Sequence, residues 1–205
     1  MEYMATLPDK AYSLALVDPP YGETCDIKTG GNEHTKSIVK FHQLYSKTNE
    51  WNDLPSKKYF NELFRISKNQ IIWGGNYFGL PPCRCFIIWD KIRVVENFSQ
   101  VEMAWTSFNR PALLYSFCGN GGFILAPRDA KIHPTQKPIS LYEWILYKFA
   151  KPGDKILDTH LGSGSSAIAA DIMDFDFVGI EIDEDYFLAA KERFEKHKKQ
   201  TVLEF

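Results

Sequence analysis

Four consecutive residues, Asp18-Pro19-Pro20-Tyr21, follow the short apolar run Ser13–Val17. Proline fixes φ and pushes the residue before it out of helical conformations, so this strand must end in a rigid loop. A carboxylate, a fixed main-chain carbonyl and an aromatic ring are thereby gathered at one strand end. The chemistry they suit is alkylation of a conjugated amine. The lone pair of an exocyclic amine on a nucleobase is delocalised into its ring. A carboxylate and a carbonyl that accept its two N–H bonds favour a pyramidal nitrogen and localise that pair for in-line attack on a sulfonium methyl. Tyr21 can stack on the base, as a base turned out of its helix requires. No covalent nucleophile is needed, so the cysteines can be bystanders.

A second constellation lies near the C-terminus. The strand expected at Lys155–Asp158 runs into Gly162-Ser163-Gly164-Ser165-Ser166-Ala167, followed by a helix to about Met173 and a strand at Phe177–Ile182. Glycines let the backbone approach a ligand, and the helix start offers free N–H groups. Glu181 lies 17 residues after Gly164, at the end of the next strand, where a carboxylate can accept hydrogen bonds from both ribose hydroxyls. This corner suits an adenosine-containing cofactor. By itself it fits nicotinamide and S-adenosylmethionine enzymes alike.

The elements that must position these groups alternate strand and helix, which implies an α/β fold with a mainly parallel sheet. Pro55 is expected to open a helix whose apolar face is Tyr59, Phe60, Leu63, Phe64 and Ile66. Strands are expected at Gln70–Trp73 (ended by Gly74-Gly75), Phe86–Trp89, Val101–Ser107 and Leu113–Phe117, the last two around a turn at Asn109-Arg110-Pro111. Ser140 and Glu143 read as a capping box for a helix to Phe149, and a charged helix should run from Asp185 to Lys199. Residues 23–53 are polar and non-periodic, and Gly119–Gly122 marks another loop.

Composition excludes other classes. With 205 residues, 44% hydrophobic and 24% charged, the chain is one globular domain and neither disordered, collagenous nor coiled coil. No apolar run approaches the roughly 20 residues needed to cross a bilayer, and the N-terminal residues lack the basic-then-apolar pattern expected of a signal. Cys25, Cys83, Cys85 and Cys118 do not suggest a disulfide framework in a chain this long, and Cys-x-Cys with scattered His34, His42 and His133 is a poor zinc pattern. A cytoplasmic protein without membrane or metal is expected. The net charge of -2 conceals a split: residues 22–150 carry 16 basic and 11 acidic residues, net +5, and residues 151–205 carry 7 and 12, net -5. The middle can therefore face a phosphate backbone.

Together these motifs resemble the bacterial and phage amino-group DNA methyltransferases of the permuted (β) class, which place the catalytic motif before the cofactor motif. Asp18–Tyr21 matches the catalytic motif, Asp158–Gly164 the glycine loop, and Phe177–Glu181 the ribose-binding strand. His133-Pro134-Thr135-Gln136-Lys137-Pro138 matches the segment lining the methionine end of the cofactor. Ile72–Phe78 and Trp89-Asp90-Lys91 look like the phage-type members. The resemblance implies a Rossmann-like S-adenosylmethionine-dependent fold in which the Asp18 and Asp158 strands sit side by side. It also implies methylation of the 6-amino group of adenine in double-stranded DNA, since aspartate at the motif usually goes with adenine and serine with cytosine.

By the same resemblance Asp18 and the Pro19 carbonyl, held by Pro20, orient the amine, and Tyr21 stacks on the base. Asp158, His160, Gly162, Ser163, Gly164 and Glu181 hold the adenosine and sulfonium parts. His133 lines the pocket, and Thr135 and Lys137 hold the amino-acid end. Target recognition is expected at about 92–131, a small inserted region, with Lys91, Arg93, Arg110, Arg128 and Lys131 reaching phosphates or guanine edges. Lys28, Lys36, Lys40 and Lys47 would let the 23–53 loop close over DNA. A homodimer and a cognate restriction enzyme are further partners the family admits.

Two departures stand out. His160 replaces a phenylalanine common in the glycine loop, adding a titratable group. Relatives carry a strand and an Asp-Cys pair before the stretch matching Glu2-Tyr3-Met4, so either a misassigned or truncated start or a sheet lacking one edge strand is expected, with weaker cofactor binding. The alternatives are a cytosine 4-amino methyltransferase and an inactive or truncated DNA-binding relative, with a nicotinamide oxidoreductase a distant third.

Overall fold

The computed structural model describes residues 1–22, 53–92, 99–117 and 131–201. The elements, in chain order, are α1 (Glu2–Ala5), β1 (Tyr12–Val17), α2 (Lys57–Ile66), β2 (Ser67–Trp73), β3 (Phe86–Asp90), β4 (Val101–Thr106), β5 (Leu113–Ser116), α3 (Ile139–Phe149), β6 (Lys155–Asp158), α4 (Ser165–Ile172), β7 (Asp176–Gly179) and α5 (Glu184–Thr201).

The seven strands form one sheet in the order β5-β3-β4-β2-β1-β6-β7. It is mainly parallel: β1 pairs with β2 and β6, β6 with β7, and β3 with β5 in parallel, whereas β4 runs antiparallel to β2 and β3. The apolar run of β1 lacks polar alternation because both of its faces are covered. Leu14 and Leu16 join the core under α3 and α4, with Ile71, Trp73 and Ile156. Ala15 and Val17 point the other way, into a core with Met4, Leu63, Ile66, Ile72 and Leu157. The chain is therefore a Rossmann-like α/β domain with helices on both faces.

Several boundaries differ from the sequence reading. Pro55 lies before the N-cap of α2, and it is Ser56 whose Oγ accepts from Tyr59 N at 3.3 Å. The Ser140–Glu143 capping box does not form. Its helix begins two residues earlier, with Pro138 at the N-cap, and the Ser140 hydroxyl is buried without a hydrogen-bond partner. β7 ends at Gly179, so Glu181 stands beyond the strand, not within it. β5 does not form a hairpin with β4: it crosses to the far side of β3, pairing Ile87 with Leu113. Within the region expected at 92–131, residues 101–106 and 113–116 build two strands of the main sheet. Residues 93–98 and 118–130 of that stretch, the 23–52 segment with its lysines, and Cys25 and Cys118 lie outside the described residues.

Among the described residues no helix is long and apolar enough to cross a membrane, and no group of His, Cys, Asp or Glu could hold a metal ion. Cys83 and Cys85 are free thiols.

Candidate active site

The two constellations meet because β1 and β6 are neighbours, in the register Leu14 to Ile156 and Ala15 to Leu157. Asp18 follows the last residue of β1, and Asp158 is the last residue of β6. Both carboxylates thus emerge at the same carboxyl edge of the sheet, where ligands bind in open α/β folds.

Both oxygens of Asp18 are engaged. The Tyr21 hydroxyl donates to Oδ1 at 2.5 Å, and Lys137 Nζ donates to Oδ2 at 2.5 Å. Burial, followed by the Asp18 and Glu102 charges, pushes the Tyr21 hydroxyl well up, which keeps it a donor. The Tyr21 ring is stacked on Tyr77, centroids 5.0 Å apart and planes 18° from parallel. It also lies over Gly74, the left-handed residue after β2 (φ 67°).

Lys137 is 4% exposed. Its ammonium also meets Glu102 Oε2 at 3.1 Å and lies 5.0 Å above the Trp73 ring. Burial opposes that charge, but Asp18 and Glu102 outweigh it and hold the Lys137 pKa above the ordinary lysine value. Glu102 in turn pairs with Lys91 at 2.6 Å. Burial would raise its carboxyl, yet Lys137 and Lys91 hold it below the usual range. Lys137, expected at the amino-acid end of a cofactor, here pairs with the Asp18 carboxylate.

Facing this cluster, the loop after β6 is wired to α4 and α5. Asp158 is 1% exposed and accepts from Ser166 Oγ at 2.6 Å and His160 N at 3.0 Å. Burial pushes its pKa up to about 7. Glu181 ties the loop to its own turn: Oε2 accepts from Gly162 N at 2.8 Å, and Oε1 from the N–H groups of Ile182 and Asp183. Gly162 and Gly164 both have positive φ (52° and 74°), a conformation that side chains disfavour. The His133 ring packs on Gly162, 3.5 Å from where a Cβ would stand, and the Thr135 hydroxyl lies 3.1 Å from His133 Nδ1. Arg193 donates to the Ser163 carbonyl at 2.6 Å and to Ser165 Oγ.

Burial lowers both histidines to about 4, with Lys137 and Lys131 adding to the effect at His133. His160 is therefore a neutral flat ring at physiological pH, edge-on to Tyr59. Its substitution for phenylalanine adds no charge to the loop.

The basic residues separate. Lys91 and Lys131 stand near Glu102 at the carboxyl edge. Arg110 stands at the opposite edge, because β4 runs antiparallel and delivers the chain there. It donates to the Lys148 carbonyl at 3.0 Å and covers the Phe149 ring. Arg110 is thereby removed from any surface shared with Asp18. Arg93 and Arg128 lie outside the described residues.

Sequence reasoning missed Glu102, Arg193 and Tyr59, whose hydroxyl lies 2.7 Å from that of Thr159. Glu102 left one signal, an acidic residue in an otherwise apolar strand. The other two sit among ordinary helical residues.

Fold and site define a Rossmann-like domain with the Asp18–Tyr21 motif and the glycine-rich Gly162–Gly164 loop on one sheet edge. Residues 33–192 match the N6/N4 DNA methylase family model, and the chain belongs to that family. The Type II methyltransferase M.HinfI of Haemophilus influenzae is 24% identical over 247 positions, spanning 97% of this chain and 67% of that protein. M2.DpnII of Streptococcus pneumoniae is 41% identical over 63 residues, covering 31% of this chain and 24% of its own length.

Two solved structures share the fold. One is TTHA0409 of Thermus thermophilus, solved in complex with S-adenosyl-L-methionine (TM-score 0.55, 18% identity, covering 100% of this chain and 93% of that one). The other is the cytosine-N4-specific PvuII DNA methyltransferase (TM-score 0.55, 13% identity, 96% and 86% covered).

Proposed function

We propose that this chain is a permuted (β-class) methyltransferase that moves a methyl group from S-adenosylmethionine to the 6-amino group of adenine at specific sites in double-stranded DNA. The observation that carries the reading is the side-by-side placement of β1 and β6. It sets the Asp18-Pro19-Pro20-Tyr21 motif and the Gly162–Gly164 loop at one sheet edge.

The residues present fit the cofactor. Glu181 is anchored by three backbone N–H groups and keeps lone pairs for ribose hydroxyls. Gly162, Ser163 and Gly164 form the backbone cradle, and Asp158, His133 and neutral His160 line it, with Thr135 toward the amino-acid end. When bound, the cofactor supplies an electrophilic sulfonium methyl.

The chain's own part is to receive and orient the amine. The Pro19 carbonyl and Asp18 accept its two N–H bonds. Asp18 Oδ1 does so by exchanging the Tyr21 hydroxyl for the amine, while Lys137 stays on Oδ2. Tyr21, already stacked on Tyr77, lays its ring against the flipped base. Lys91 and Lys131 at the same edge meet the DNA backbone. Aspartate at position 18 favours adenine over cytosine, as is usual in the family. The Type II designation of M.HinfI extends the proposal to sequence-specific modification in the cytoplasm beside a restriction enzyme.

The test is to incubate the protein with unmethylated DNA and S-adenosylmethionine, digest to nucleosides and identify methylated bases by mass spectrometry. N6-methyladenine that disappears in Asp18→Ala is expected. N4-methylcytosine would replace the adenine reading. DNA binding with no product and no cofactor affinity would leave an inactive relative.

A further inference from the structure

Glu102 is the second residue of β4, and β4 is antiparallel to β2, with Trp73 opposite Ala104. The start of β4, not its end, therefore lies at the carboxyl edge beside Asp18. There Glu102 completes a line of four alternating charges: Lys91 to Glu102 at 2.6 Å, Glu102 to Lys137 at 3.1 Å, and Lys137 to Asp18 at 2.5 Å.

We propose that Glu102 is a positioning residue for methyl transfer: it holds the Lys137 ammonium on Asp18 Oδ2, so that Oδ1 alone is presented to the target amine. The inference rests on the amine-methylation reading above.

The terminal torsion of an aspartate is broad and roughly two-fold, so a carboxylate alone at a strand end does not fix the direction of its lone pairs. Lys137 fixes it by occupying Oδ2. A lysine on a flexible stem needs a second anchor to stay there, and Glu102 is that anchor, steadied on its far side by Lys91. The partners of Oδ1 and Oδ2 are then unequal. Tyr21 on Oδ1 is a neutral donor that an incoming amine can replace with an equivalent hydrogen bond. Lys137 on Oδ2 is a buried cation whose removal would leave charge uncompensated. The amine is thus received on one oxygen, in one direction, which is what an in-line attack requires.

The charged and titratable groups of the cluster around Lys137 are Asp18 and Tyr21 after β1, Glu102 on β4, Lys91 after β3, Lys131 and His133 in the segment before α3, and Tyr142 on α3. Of these, Asp18 and Glu102 favour its charge and burial opposes it. Removing Glu102 therefore lowers the pH at which Lys137 gives up its proton.

The test compares wild-type protein with Glu102→Gln and the charge-conserving Glu102→Asp. The 13Cε resonance of Lys137, assigned by its loss in Lys137→Met, is titrated without substrates. The pH profiles of kcat and KM for DNA and S-adenosylmethionine are measured alongside. In Glu102→Gln the Lys137 midpoint is expected to fall, the alkaline limb of kcat to move down with it, and kcat to drop roughly tenfold with both KM values held. Glu102→Asp should recover most of the kcat and the limb.

An unmoved Lys137 midpoint overturns the proposal whether or not the protein methylates DNA. So does a Glu102→Gln defect confined to the KM for S-adenosylmethionine, which would assign Lys137 to the cofactor instead. Failure of the methylation reading shows separately, as wild-type protein that yields no methylated base.

Discussion

A Cβ built on Gly74 would stand 2.2 Å from Cε1 of Tyr21, with two further ring atoms within 2.7 Å. Gly74 follows the last residue of β2 and Tyr21 ends the Asp18–Tyr21 motif after β1, so the seat of the aromatic ring is the bare backbone just past the neighbouring strand. Gly74→Ala must displace the ring and also strain a backbone at φ 67°, at about 1–2 kcal/mol for the conformation alone. Methyl transfer is expected to fall by more than roughly tenfold, beyond what the lost stability explains. Denaturation and product formation measured on the same preparation check this, and an alanine variant with normal turnover would remove Tyr21 placement from the mechanism.

Lys137 is the cation paired with Asp18 among the described residues, and it is shared with Glu102. Lys137→Met leaves two carboxylates at this edge without it, and breaking a buried pair from one side costs about 3–5 kcal/mol. Adding Glu102→Gln should return part of that loss, because residues in one ion-pair network do not act additively. Urea midpoints of the two singles and the double decide it. A lysine variant as stable as wild type would contradict the burial and pairing described here.

Acid should destabilise the fold through its histidines. His133 and His160 sit near 4 when folded, below the ordinary 6.5. The unfolded chain therefore binds more protons between pH 6.5 and 4, and the stability that is full above 6.5 is lost as pH falls through that window. Asp158 works oppositely. Its pKa is raised to about 7, so it favours the folded state at low pH and withdraws that support as pH rises toward 7. Two histidines against one aspartate leave a net loss toward acid. His160→Phe keeps the flat ring and removes one of the two, so its thermal midpoint should fall less steeply between about pH 6.5 and 4.5. A slope equal to that of wild type would mean that folding leaves the His160 pKa where it stands in the unfolded chain.

Arg110 and Lys131 are both basic and both come from the stretch expected to read DNA, yet they stand at opposite sheet edges. Lys131→Ala should lower the salt dependence of DNA binding by about one phosphate contact. Arg110→Ala should leave the salt slope unchanged and loosen only the cover on Phe149. Affinities measured across a salt series separate the two. A reduced slope in Arg110→Ala would mean that DNA wraps past the carboxyl edge.

The parts of this protein legible in its sequence are those written in short-range patterns. The two-sided apolar run before Asp18, the glycines that turn the chain after Asp158 and the alternation of strand and helix each depend on neighbours a few residues apart. They were enough to name the class of fold and, with the family resemblance, to place β1 beside β6. What the tertiary structure alone decided are pairings across long sequence distance. Asp18 and Lys137 are 119 positions apart, and nothing local to either says that the lysine meets the carboxylate rather than a ligand. The crossing of β5 to the far side of β3 and the reversal of β4 follow from how the whole sheet closes its core. Those two events bring Glu102 to the site and carry Arg110 away from it. A charge pattern states which residues want partners, but only the order and direction of the strands determine which partners come within reach.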